Sequence, residues 1–99
     1  MRSSQHEKAR TMKSAFDDVV QAIQREQEYQ AKKYGKLDKR TESEVEWCVI
    51  LDDEMGEVVE DVAGYEFARA RAEVLQVVAT GINWLMKYGV QEREELCEQ

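Results

Sequence analysis

Two groups of polar residues in this 99-residue chain have types and spacing suited to chemistry. Glu54, Glu57 and Asp61 stand at i, i+3 and i+7, so they share one helical face, and that face also carries Trp47, Ile50, Leu51 and Val58. Acids kept for solubility belong on the opposite side, closer to Asp52, Asp53 and Glu60. Glu73, Gln76, Thr80 and Asn83 are spaced three, four and three apart. At about 100° per residue they form one narrow stripe on a segment otherwise built of Ala72, Val74, Leu75, Val77, Val78, Ala79, Ile82, Trp84 and Leu85. A solvent face is wider and richer in Lys and Glu, so the stripe predicts an internal polar site. Carboxylates on apolar faces are costly unless a cation or strong donors compensate, so something positive is expected between these two helices.

The elements that position these groups follow from periodicity and punctuation. Phe16, Val19, Val20 and Ile23 recur at helical spacing from about Thr11, and nothing breaks the helix before Gly35. Its inward stripe runs on through Gln27, Gln30 and Tyr34, apolar at the start and polar at the end. Thr41 or Ser43, each with a Glu three residues on, offers an N-cap for a second helix reaching about Ala63. Gly64 and Tyr65 mark a turn, a third helix runs from about Glu66 to Tyr88, and Gly89 ends it. The third helix is apolar on nearly all sides and is expected to be central. Residues 1–10 read as a flexible leader and residues 90–99 as a short charged tail, leaving a single all-α domain: an antiparallel bundle of three main helices plus a short C-terminal one.

In an antiparallel hairpin, residues equidistant from the turn lie at one level. Centred on Tyr65, this rule pairs Glu57 with Glu73, Glu54 with Gln76, Asp61 with Arg69 and Trp47 with Asn83. Three carboxylates and one amide oxygen then converge about 12–16 Å from the turn. All-oxygen ligands from facing helices suit a hard divalent cation such as Mg²⁺, with Glu54, Glu57, Glu73 and Gln76 as its ligands. A solvated acid cluster without a ligand is the alternative, and it leaves the apolar setting unexplained.

Composition narrows the function classes. A net charge of −7 disfavours a phosphate-backbone binder and therefore nucleic acid as partner. Residues 32–40 nevertheless carry five basic groups and one acid, a local +4 suited to a small polyanion or to a plain solvated loop. No run approaches the roughly 20 apolar residues of a membrane span, and MRSSQHEKAR lacks the apolar core of a signal peptide, so a cytoplasmic protein with no membrane association is expected. Cys48 and Cys97 are too few for a disulfide framework and fit a reducing compartment. His6, the lone histidine, lies in the leader, which removes histidine-based metal sites and makes a Ser-His-Asp triad implausible.

Together these residues resemble the MazG-like all-α nucleoside triphosphate pyrophosphohydrolases, in particular a short, phage-associated branch. DEMGE at 53–57, followed after a gap by Glu73-Val-Leu-Gln76, is similar to that family's E-E-x-x-E then E-x-x-D pattern. EYQAKKYG at 28–35 is similar to the Q-x-x-K-W-G element before it, and EVLQVVATGINWL to the later helix. The resemblance spans about Ile23 to Leu85. It implies a bundle that assembles as a dimer or tetramer around a four-helix-type core, takes Mg²⁺ or Mn²⁺, and cleaves an NTP or dNTP to the monophosphate and pyrophosphate. Asp53 stands where the pattern has Glu, keeping charge with a shorter reach, and Gln76 where it has Asp, removing one charge. On this basis Glu54, Glu57 and Glu73 are catalytic metal ligands, with Gln76 a ligand or close support. Asp53 orients or activates water, and Lys33, Lys36 and Arg69 contact phosphate. Arg69 has a second reading as a salt bridge to Asp61. Gln30, Trp47 and Asn83 would hold base and sugar, with core packing the other role open to Trp47; Tyr34 could serve either purpose. A competing class is a non-catalytic regulatory or adaptor module that keeps the bundle, and the Gln76 amide is its best support.

Overall fold

Thr11 and Ser43 open the first two long helices by the same device. The Thr11 hydroxyl accepts the Ser14 backbone N–H at 3.1 Å while the Ser14 hydroxyl accepts that of Thr11, and Ser43 and Glu46 repeat the exchange at 3.2 and 2.8 Å. Each reciprocal cap satisfies two backbone donors that a helix start leaves free. The computed structural model describes residues 11–97. These form α1 (Met12–Tyr34), a 3-10 turn (Leu37–Lys39), α2 (Glu44–Ala63), α3 (Phe67–Tyr88) and the short α4 (Arg93–Cys97), with no strand among the described residues. The leader expected at residues 1–10, with His6, lies outside them. Gly35 and Gly89 end α1 and α3 at φ +95°, a conformation that side chains resist. The α2–α3 turn places its left-handed residue at Tyr65, φ +59°, rather than at Gly64, and the Tyr65 ring meets Phe67 edge-on at 5.9 Å.

Helices α2 and α3 form an antiparallel hairpin, and α1 packs on α3. Trp84 on α3 donates its indole N–H to Glu44 at the start of α2 (2.8 Å), and Tyr88 donates its hydroxyl to the Glu42 carbonyl (2.9 Å), which fixes the open end of the hairpin. The core comprises Ile23, Trp47, Val58, Ala70 and Ala79, with Gln30, Thr80 and Asn83 buried beside them. Polar residues thus fill the interior while much of the apolar surface faces outward. Phe16 and Val19 on α1, Val45, Val49, Val59 and Val62 on α2, and Phe67, Val74, Val78 and Leu85 on α3 are all exposed. The third helix is therefore not enclosed by its own chain: its polar stripe points inward and Val74, Val78 and Leu85 point out.

The single chain is also open in shape. Its Cα radius of gyration is 16.5 Å, against about 13 Å for a compact domain of this length. It exposes 8140 Å², where a folded monomer of its mass exposes about 5,800 Å². None of the helices among the described residues is long and apolar enough to cross a membrane. Cys48 is a free, exposed thiol.

Candidate functional site

Two side-chain systems meet on the inward stripe of α3. Toward α1, the amides form a directed relay: Gln27 donates to the Asn83 carbonyl oxygen at 3.2 Å, Asn83 donates to Gln30 at 3.0 Å, and Gln30 donates to a Glu26 carboxylate oxygen at 3.2 Å. Gln30 and Asn83 are buried, so each bond replaces solvation that folding removed. Asn83 therefore turns to α1 rather than to Trp47, its partner by the hairpin rule. The relay borders a cavity of about 220 Å³ that Gly35, Leu37, Arg40 and Met86 close.

Toward α2, carboxylates gather. Thr80 donates its hydroxyl to Glu54 Oε2 at 3.2 Å, and Glu54 Oε1 is buried without a hydrogen-bond partner. Burial pushes the Glu54 carboxyl above the usual carboxylate range; the Thr80 hydroxyl opposes this, and the charges of Glu57 and Glu26 add to the rise. Glu73 is raised first by a hydrogen bond with the Glu57 carboxyl, then by burial, then by the charges of Glu57, Asp61 and Glu54. Its Oε2 is a second buried oxygen without a partner. The level pairing of Glu57 with Glu73 is thus observed, while Glu54 meets Thr80, one turn beyond its expected partner Gln76. A second cavity, of about 210 Å³, is lined by Glu54, Thr80, Gln30, Tyr34, Ile50 and Arg40, with Glu42 at its edge.

The remaining candidates are distributed less evenly. Glu57 and Asp53 are exposed, so the sequence expectation of a buried face holds for Glu54 and not for all of its neighbours. Gln76 is half-buried and makes no hydrogen bond among the described residues. Lys33 is exposed, 5.2 Å from the Tyr34 ring centre and 6.0 Å from that of Tyr29, and contact with Tyr34 raises its pKa. Lys36 is exposed and borders neither cavity. Arg69, in the first turn of α3, is exposed, and no ion pair joins it to the half-buried Asp61 near the end of α2, which corrects that reading. Of the two roles open to Trp47, core packing is the one observed, and the substrate-holding role is corrected. Trp47 is 0% exposed, and the Arg40 guanidinium lies 4.5 Å over its ring, so the indole is core and offers no open face to a base.

Three contributors are not among the candidate site residues read from the sequence. Glu26 terminates the relay and acts on Glu54; its signal was the i, i+4 step to Gln30 on the polar part of α1. Thr80 was visible in the stripe, but a hydroxyl beside acids carries little weight until the acid it meets is known. Arg40 was counted with the basic loop, yet it borders both cavities; its position between Tyr34 and Trp47 was the available clue.

Two partnerless, buried carboxylate oxygens project from facing helices, and neighbouring carboxylate charges add to the raised pKa of Glu54 and Glu73. As they stand, no three Asp, Glu, His or Cys side chains among the described residues are close enough together to hold one ion. Protein-family models, curated proteins and solved structures yield no match to this chain.

Proposed function

We propose that this chain is a metal-dependent nucleoside triphosphate pyrophosphohydrolase, cleaving an NTP or dNTP to the monophosphate and pyrophosphate. The observation that carries the reading is the pair Glu54 Oε1 and Glu73 Oε2, buried on facing helices with no hydrogen-bond partner. Native proteins rarely leave such oxygens unpaired, and a hard cation is the partner that suits them. The acid spacing that resembles the MazG-like pattern supports the same chemistry. Glu54, Glu57 and Glu73 would hold Mg²⁺ or Mn²⁺, with Gln76 as a further ligand or close support. When bound, such an ion neutralises phosphoryl oxygens and lowers the pKa of water.

The chain's own groups supply the rest. The Gln30–Asn83 relay is a fixed array of amide donors and acceptors for base and sugar. Asp53, exposed on the helix that carries Glu54, is free to accept a proton from attacking water. In the reaction the water oxygen bonds to the α-phosphorus, and the bridging oxygen leaves with pyrophosphate. Lys33, in the last turn of α1, and Lys36, in the loop after it, are suited to the leaving pyrophosphate.

Assembly into a dimer or tetramer belongs to this reading. The excess exposed area and the outward Val74, Val78 and Leu85 support a second copy packing on the hairpin to complete a four-helix-type core. A non-catalytic module is the second reading, favoured by Gln76, which lacks the expected charge and makes no hydrogen bond among the described residues. Pyrophosphate release from a panel of ribo- and deoxynucleoside triphosphates, with Mg²⁺ and with EDTA, separates the two. The enzyme reading expects release from at least one triphosphate, abolished by EDTA; the module reading expects none.

A further inference from the structure

Arg40 follows the 3-10 turn, and its side chain is only 10% exposed. Its guanidinium is fixed from two directions. The plane lies 4.5 Å over the Trp47 ring and 5.4 Å from that of Tyr34, and Nε and Nη2 both donate to the Glu42 carboxylate, the latter at 2.7 Å. That contact holds Glu42 well below the usual carboxylate range. A guanidinium has five N–H donors, and no hydrogen bond among the described residues takes up those on Nη1. Nη1 is not sealed from solvent, so its donors remain open to an incoming ligand while Nε and Nη2 are held by Glu42.

The unused donors sit at a junction. Arg40 and Gln30 border both the amide cavity and the acid cavity, and Arg40 is the cation whose charge acts on Glu54. Each cavity alone, at about 220 and 210 Å³, is below the range of roughly 300–1,000 Å³ usual for small-molecule sites, whereas the two together fall within it. A ligand that fills both must cross their shared wall.

Resting on the pyrophosphohydrolase reading, we infer that Arg40 is the receptor for the phosphate nearest the sugar, the α-phosphate that stays with the monophosphate product. With base and sugar at the amides and the triphosphate directed to the acids, the first anionic group beyond the sugar arrives at Arg40. Trp47 and Glu42 orient the fork, and Nη1 donates to the phosphate oxygens. Pyrophosphate, which lies beyond that wall, does not depend on this residue.

The two products therefore provide the test. Calorimetric titration in Mg²⁺ would use the monophosphate of the best-cleaved nucleotide and, separately, inorganic pyrophosphate, against wild type, Arg40→Met and Arg40→Lys. Monophosphate affinity should fall about 10- to 100-fold in Arg40→Met and less in Arg40→Lys. Pyrophosphate affinity should stay within about twofold, because only the monophosphate loses a charge-assisted bond. Where Arg40→Met loses its cooperative melt, the same contrast is read in Arg40→Lys. Equal losses for both ligands, an unaffected monophosphate, or a wild type that does not bind monophosphate would overturn the assignment. If wild type releases pyrophosphate and the variants bind monophosphate normally, the Arg40 role alone falls. If wild type cleaves no triphosphate, the pyrophosphohydrolase reading falls and takes this role with it.

Discussion

Thr80 spends its hydroxyl on Glu54 Oε2, 3.2 Å away across the hairpin, and leaves Oε1 of the same carboxylate buried and unpaired. One donor for two buried oxygens satisfies half of the group. On the facing helix Glu73 Oε2 is likewise buried without a partner, and the Glu57 carboxyl is the group that acts most strongly on Glu73. The site is thus built with more acceptors than donors, and its energetics follow from that imbalance.

Stability without metal should fall as pH rises. Glu54 and Glu73 have folded-state pKa values above the ordinary one, so the folded chain holds their protons to higher pH than the unfolded chain, whose Glu titrates near about 4.3. Their stabilising contribution is present below that value and lost as pH climbs through the raised values. Glu42, held low by Arg40, acts oppositely and costs stability only in stronger acid. Thermal melts in EDTA should give a higher Tm near pH 5 than near pH 7.5, and the double variant Glu54→Gln/Glu73→Gln should flatten that slope. An equal slope in the double variant would count against the buried pair as its source.

Asn83→Ala should be among the more damaging single changes in α3. It removes the acceptor of Gln27 and the donor of Gln30 together, stranding polar atoms next to the core. The expected loss is about 1–3 kcal/mol, a drop in Tm of several degrees. Gln27→Ala, at the half-buried end of the relay, should cost less. Denaturant unfolding of the two variants measures the order directly, and a reversed order would mean that the relay does not carry the energy assigned to it.

Val78→Glu should reduce the assembly to monomers. Val78 is exposed between Val74 and Leu85 on the outward stripe, so a charge there costs the lone chain little and a helix–helix interface a great deal. Light scattering at micromolar concentration should give a multiple of 11.5 kDa for wild type and a single chain mass for the variant. A wild type that is already monomeric would contradict this.

Local rules were enough to read the helices. Glycines after Tyr34 and Tyr88 and uninterrupted 3.6-residue periodicity put the bounds of α1 and α3 within a residue of those observed, while the start of α2, open between Thr41 and Ser43 in the sequence, falls at Ser43. The hairpin rule also brought Glu57 to Glu73. It failed where a third element intervenes. Asn83 chose the amides of α1, and Trp47 was claimed by Arg40 from the loop. Helical periodicity orders residues along one face, but it does not say which of two neighbouring helices that face will meet. The third helix has apolar residues on more faces than two helices can cover, and Val74, Val78 and Leu85 are those the lone chain leaves outside.

Whether Glu54, Glu57 and Glu73 hold a divalent cation is decided by titration of Mn²⁺ followed by electron paramagnetic resonance. Wild type should bind, Glu73→Gln should weaken binding by at least about tenfold through loss of one anionic ligand, and Gln76→Asp should tighten it by adding a carboxylate at the same level. Glu73→Gln should at the same time melt no lower than wild type without metal, because it removes a poorly solvated like charge. Equal Mn²⁺ affinities for the three proteins would contradict the assignment of this cluster as the metal centre.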